Sequence, residues 1–149
     1  MDEQLMFPET RLPQKPIEIS RKFQRLSYID INMSKYLPFC CEFGKQGIDG
    51  QFHVLYETLD KLSNKNYIGI HSSDCDDQIY IGSGRSLRRA IRKNGRHNFE
   101  RFNLAYFEHR QHLVFAEGLI VNSWFVNQNT NYNINIGCWK NNMVKLLHE

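Results

Sequence analysis

An α+β fold, a small antiparallel β-sheet flanked by helices, is predicted by two observations. Two strand-like runs meet at a polar turn, and they are followed by a helix, a strand and a second helix, each with its own hydrophobic period.

Phe52 to Thr58 has the aromatic and β-branched composition of a strand, Ser63-Asn64-Lys65-Asn66 supplies turn chemistry, and Tyr67 to His71 resumes as a strand. The three make a β-hairpin. Ser72 to Asp77 is a polar, acidic loop leading to Tyr80-Ile81-Gly82-Ser83-Gly84, whose glycines allow a tight path into a helix. In that helix Leu87, Ala90 and Ile91 recur at helical spacing, Arg85, Arg88, Arg89, Arg92 and Lys93 occupy the other faces, and Asn94-Gly95 ends it. Phe99 to Phe107 reads as a strand, with Phe102, Leu104 and Tyr106 alternating on one buried face. Residues 110–126 place Leu113, Ala116, Ile120 and Trp124 along one helical stripe, and Tyr132 to Ile136, after an Asn-rich turn, read as a final strand.

The 149 residues, 41% hydrophobic and 13% aromatic, suffice for one domain with a real core. That domain is expected over residues 51–137. Residues 1–50 read as an N-terminal arm or extension, loosely held over residues 1–20, where Pro8, Pro13 and Pro16 break regular structure. Residues 138–149 read as a short tail. No apolar stretch approaches the roughly 20 residues of a membrane helix, and Asp2 and Glu3 stand where a secretory signal would be basic, so a cytoplasmic, membrane-free protein is expected. Cys40, Cys41, Cys75 and Cys138 lack CxxC spacing and read as reduced thiols, neither a zinc site nor a disulfide framework. The formal charge of +3 separates no function classes by itself. Asp74, Asp76 and Asp77 read as turn-forming residues, and His97, His109 and His112 as surface residues.

Period two puts Tyr67, Gly69 and His71 on one face of the second strand, with Ile68 and Ile70 on the other. The polar face is therefore available for chemistry. Gly69 leaves room for a phosphate, and an unbulged register with Tyr56 opposite Tyr67 would bring the two phenols together.

Val54-Leu55-Tyr56 followed by Tyr67-Ile68-Gly69 resembles the paired motifs of the GIY-YIG endonucleases. Gly69-Ile70-His71, Tyr80-Ile81-Gly82-Ser83-Gly84, Leu87-Arg88-Arg89-Ala90-Ile91, Asn98-Phe99, Glu117 and Tyr132-Asn133 resemble successive landmarks of the phage-type, free-standing homing enzymes of that family. A register beginning at Gly69-Ile70-His71 and pairing it with Tyr80-Ile81-Gly82 is rejected, because it puts histidine where the first tyrosine belongs. Val54-Leu55 stands in place of Gly-Ile, and Ser72 to Gln78 replaces the segment that usually leads to the family's catalytic arginine.

The resemblance implies hydrolysis of double-stranded DNA, with Mg²⁺ or another divalent cation such as Mn²⁺ held by Glu117. It makes Tyr56 the leading general base, Tyr67 and His71 its helpers, and Asn133 a supporting hydrogen-bonding residue. Arg88, or Arg89, takes the place of the catalytic arginine by location. Ser83, Gly84, Arg85, Arg89, Arg92 and Lys93 are the implied DNA contacts. No protein partner is indicated. With residues 138–149 too few for a separate DNA-reading module, specificity is expected to be weak or to use the N-terminal arm. The competing readings are a non-catalytic nucleic-acid-binding remnant of the same fold and a protein-interaction domain.

Overall fold

The computed structural model describes Leu37 and residues 39–137. In chain order it contains β1 (Cys40–Cys41), β2 (Phe52–Asp60), β3 (Asn66–Ser73), α1 (Arg85–Asn94), a 3-10 turn (Arg96–Asn98), β4 (Phe99–Phe107), α2 (Arg110–Ile120) and α3 (Ser123–Val126). The strands lie in the order β1-β4-β2-β3 and every neighbouring pair is antiparallel, so the α+β architecture is the one the sequence predicts. β1 falls within the 1–50 segment and joins the sheet by pairing Cys40 with Phe107 and Cys41 with Tyr106. The expected arm over residues 1–20 and the expected tail over residues 138–149 lie outside the described residues. Among the described residues, no helix is long and apolar enough to cross a membrane.

Strand alternation divides the core. Leu55, Ile68, Ala105 and Phe107 pack with Leu113, Ala116 and Ile120 of α2 on one face of the sheet. Each fully buried aliphatic side chain there contributes about 1.5–3 kcal/mol. Val54, Tyr56 and Tyr106 cluster on the opposite face, and beside them Ile81, Leu87 and Phe99 pack under α1. Tyr67 packs against both of these smaller clusters. The hairpin thus has an aliphatic face under α2 and a tyrosine-bearing face under α1 and the loop before it.

Three sequence expectations need correction. First, β4 does not carry Phe102, Leu104 and Tyr106 on a single face. A bulge shifts the β2–β4 register between Leu55 and Tyr56: Leu55 pairs with Ala105, but Tyr56 pairs with Asn103. The extra residue reverses the alternation, leaving Tyr106, Asn103 and Arg101 on the tyrosine face. Second, the helix expected over 110–126 is broken. α2 stops at Ile120, and Asn122 caps α3 by accepting a hydrogen bond at its side-chain oxygen from the Phe125 N–H. Third, Tyr132–Ile136 is not a strand. The chain makes an isolated parallel bridge, Asn131 to Asn66, after which the Asn133 side chain accepts from the Ile68 N–H at 3.0 Å and donates to the Ile68 carbonyl at 2.9 Å. A side-chain amide takes the two backbone groups that a further strand would have used.

Asp60 ties these parts together. It is fully buried at the end of β2, and its carboxylate accepts hydrogen bonds from the Leu62 N–H, from Asn94 at the end of α1 and from the Tyr132 hydroxyl. Burial pushes the carboxyl up, but the hydrogen bonds from Tyr132, Asn94 and Leu62 outweigh it and hold the group below the usual carboxylate range. A depressed folded-state value means that this stabilisation is complete above about pH 4 and is lost as pH falls through the folded value. Asp60→Ala should therefore lower unfolding free energy by roughly 2–4 kcal/mol in urea titrations at pH 7. The difference between variant and wild type should shrink in acid.

Candidate active site

The hairpin register sets the geometry. Tyr56 faces Gly69 across the strands, Tyr67 faces Thr58, and His71 faces Val54. Tyr56 and Tyr67 are thus not opposite one another, as an unbulged central register would have made them. They are diagonal neighbours on one face, and the missing side chain of Gly69 is what lets Tyr56 lie across β3. A methyl group at Gly69 would stand 2.5 Å from Tyr56 Cζ and closer still to its hydroxyl oxygen. The glycine therefore houses the tyrosine itself, a different use from the phosphate space expected of it.

The loop before α1 closes over this face. Tyr80 stacks on His71 with ring centroids 4.3 Å apart, and meets Tyr56 edge-on at 6.2 Å. Thr58 donates its hydroxyl to the Ile81 carbonyl at 2.7 Å, and the Tyr106 hydroxyl donates to Asp76 at 2.8 Å. At Gly84 a β-carbon would meet Tyr67 Cε2 at 2.8 Å, so this glycine seats the tyrosine ring at the mouth of α1. Its backbone N–H also lowers the Tyr67 phenol slightly, against the effect of burial. Ser83 is exposed.

Tyr56 is only 1% exposed. Burial pushes its phenol far above the ordinary range, Tyr67 and Tyr80 add to the effect, and the nearby Arg101 cation opposes it. The Tyr67 phenol is also raised, first by burial and then by Tyr80 and Glu117. His71 moves the other way: burial, Arg101 and Arg110 lower its imidazole, with Asp77 opposing, so it is neutral at pH 7. On one face, therefore, stand two phenols held protonated and an imidazole free to take a proton.

Glu117 lies on α2, half-buried, and its charge bears on both Tyr56 and Tyr67. Burial raises its carboxyl, and Arg110 only partly offsets this. Among the described residues no cation stands within salt-bridge distance of it, and no group of three His, Cys, Asp or Glu side chains gathers to hold a metal. A desolvated, unpaired carboxylate suits a Mg²⁺ ion that takes the rest of its shell from water and a substrate phosphate. It does not suit a preformed protein cage. Asn133 sits beside the site as a backbone clamp on Ile68, between Tyr67 and Gly69.

The arginines divide in an unexpected way. Arg85, Arg88, Arg89, Arg92 and Lys93 are all exposed along α1. Among the described residues, the guanidinium lying over a site tyrosine is that of Arg101, 4.2 Å from the Tyr56 ring centroid. Sequence reasoning passed over Arg101 and Asn103, and gave Tyr80 a place in a motif but no role at the site. The available signal was a charged residue two positions after Phe99, at the strand spacing that shares a face with that buried ring.

At the sheet edge beyond His71 runs a hydrogen-bond relay. Arg110 donates to Ser72 Oγ at 2.7 Å, Ser72 lies 2.6 Å from His53 Nδ1, and His53 Nε2 lies 2.9 Å from the Asp49 carboxylate. The Asp49 carboxylate can only accept, so His53 donates from Nε2, and in that tautomer Nδ1 accepts the Ser72 hydroxyl proton. The relay fixes the 44–51 loop and the start of α2 against β3.

Over 86 residues, 58% of its length, the chain is 40% identical to "Putative endonuclease segB" of Enterobacteria phage T4. It is 34% identical over 89 residues to "Putative endonuclease segC" and 31% identical over 93 residues to "Endonuclease segA" of the same phage. All are phage endonucleases by name. The chain spans about two fifths of the length of these curated relatives, with 39% of segB and 42% of segA covered. No protein-family profile matches the chain, and no solved structure is a significant match.

Proposed function

We propose that this chain is a metal-dependent endonuclease module that hydrolyses phosphodiester bonds in double-stranded DNA, of the GIY-YIG type and homing in character. One observation carries the proposal: Tyr56, Tyr67 and His71 share a sheet face, with the half-buried carboxylate of Glu117, which no described cation pairs, bearing on both phenols. The likeness to phage T4 endonucleases supports the same reading.

In this reading the exposed cations of α1, Arg85, Arg88, Arg89, Arg92 and Lys93, with Ser83 at the entry to the helix, grip phosphates and bring the scissile group to the tyrosine face. Glu117 would hold Mg²⁺ or Mn²⁺, which when bound neutralises charge on the phosphate and the leaving oxygen. Tyr56 and Tyr67 orient the attacking water. Tyr56 takes its proton while releasing its own, since burial keeps the phenol neutral, and His71, neutral at pH 7, is the group on that face free to accept a proton during the reaction. Water adds to phosphorus and loses a proton to the protein, the strand oxygen leaves and takes a proton from solvent to become a hydroxyl, and the protein returns its own to solvent.

The test is incubation of the purified protein with supercoiled plasmid in Mg²⁺ or in EDTA, with nicking and linearisation followed on a gel. Cleavage in Mg²⁺ and none in EDTA is expected. Salt-sensitive binding without any strand scission would replace the enzyme by a binding remnant of the fold.

A further inference from the structure

Among the described residues, Arg101 is a buried charge without a carboxylate partner. It sits on β4 opposite Thr58, 5% exposed, and the bulge at Leu55/Tyr56 is what turns it onto the tyrosine face. Its Nε donates to Asn103 Oδ1 at 2.8 Å and its Nη1 to the Tyr80 carbonyl at 2.7 Å, while the guanidinium plane covers the Tyr56 ring. Asp76 and Asp77 act on it at longer range, and among the described residues neither is within salt-bridge distance. Desolvating an arginine without pairing it is unfavourable, and such an arrangement persists where the charge has a use.

We propose that Arg101 is the positioning cation of this site, which seats the Tyr56 ring and pins the Tyr80 loop over it. The proposal rests on the endonuclease reading above. Arg101 acts through Tyr56 and Tyr80, not by touching DNA. It places a cation directly on the Tyr56 ring, whereas Arg110 acts on His71 and Glu117 only from a distance and Arg88 and Arg89 are exposed on α1. Three contacts converge on one loop residue: the Tyr80 carbonyl is held by Arg101, its ring stacks on His71, and its edge meets Tyr56. Moving Arg101 therefore moves the partners of both the orienting phenol and the proton acceptor. A residue needed merely to glue the loop down would have no reason to be an arginine stacked on the phenol.

The experiment compares wild type, Arg101→Lys and Arg101→Gln in single-turnover plasmid cleavage with Mg²⁺, alongside filter binding of the same plasmid in EDTA. Arg101→Gln should slow cleavage by about 10²- to 10³-fold, with plasmid affinity within about threefold of wild type, and Arg101→Lys should recover part of the rate. Arg101→Gln cutting as fast as wild type, losing affinity in step with rate, or matching Arg101→Lys would overturn the assignment. If Arg101→Gln does not fold, Asn103→Ala, which removes one anchor and keeps the charge, should slow cleavage about tenfold at unchanged affinity. An unchanged rate there sinks the proposal too. Wild type that cuts nothing would be a different failure, removing the endonuclease reading and the role of Arg101 with it.

Discussion

Glu117→Gln should abolish DNA cleavage and at the same time make the folded protein more resistant to heat. The two effects have one origin. Burial raises the Glu117 carboxyl, and no described cation pairs with it, so the ionised group is unfavourable in the folded state at neutral pH. A raised folded-state value means that this penalty is absent below about pH 4.5 and sets in as pH rises through the folded value. The amide has nearly the same shape and no charge. Its melting temperature should exceed that of wild type by a few degrees at pH 7, and the gap should close in acid. Cleavage should fall by about a thousandfold or more, since metal-assisted neutralisation of the phosphate is worth several kcal/mol. Plasmid affinity in EDTA should hold or tighten as a negative charge leaves the site. A surface carboxylate of no consequence would change neither property. One that held α2 in place would lower the melting temperature, and either result would remove Glu117 from the metal position.

Such trade-offs are where the sequence was least informative. The hairpin, α1, β4 and the start of α2 could be read from strand composition, helical spacing and the closing Gly95, because burial on one face leaves a periodic trace. Ile68 and Ile70 did fall on the aliphatic face, and Tyr67, Gly69 and His71 on the other. Register left no such trace. Nothing in Phe52 to His71 states that Tyr56 meets Gly69 and not Tyr67, since the turn from Lys61 to Lys65 is longer than a two-residue hairpin loop and fixes pairing only through its folded shape. The bulge in β4 was invisible for the same reason, and with it the placement of Arg101. Asn133 was legible as a hydrogen-bonding residue, but its use as a clamp on Ile68 depends on where the 130–133 segment lands. The motif resemblance supplied candidate residue types for the site, and the folded register decided which of them meet.

Tyr56→Phe and Gly69→Ala should converge on one defect by opposite routes. The first removes the hydroxyl while keeping the ring between Arg101 and Gly69, so the fold should be preserved and single-turnover cleavage should drop by about 10²- to 10⁴-fold, the range for a proton-transfer group. The second keeps the hydroxyl and takes away the space it occupies. Because a methyl at position 69 would come within 2.5 Å of Tyr56 Cζ, the ring must shift, and it is hemmed in by the Arg101 guanidinium and by the Val54–Tyr106 cluster. Overpacking of that kind costs about 1–3 kcal/mol of stability, and the displaced phenol should lose most of its catalytic contribution. If both substitutions act through the Tyr56 hydroxyl, the double variant should cleave no more slowly than the worse single one. Multiplied losses would mean that Gly69 serves the phosphate directly. Tyr56→Phe cleaving at nearly the wild-type rate would leave His71 as the residue that takes the proton from water, with activity rising as pH climbs through its lowered imidazole value and flat above pH 7.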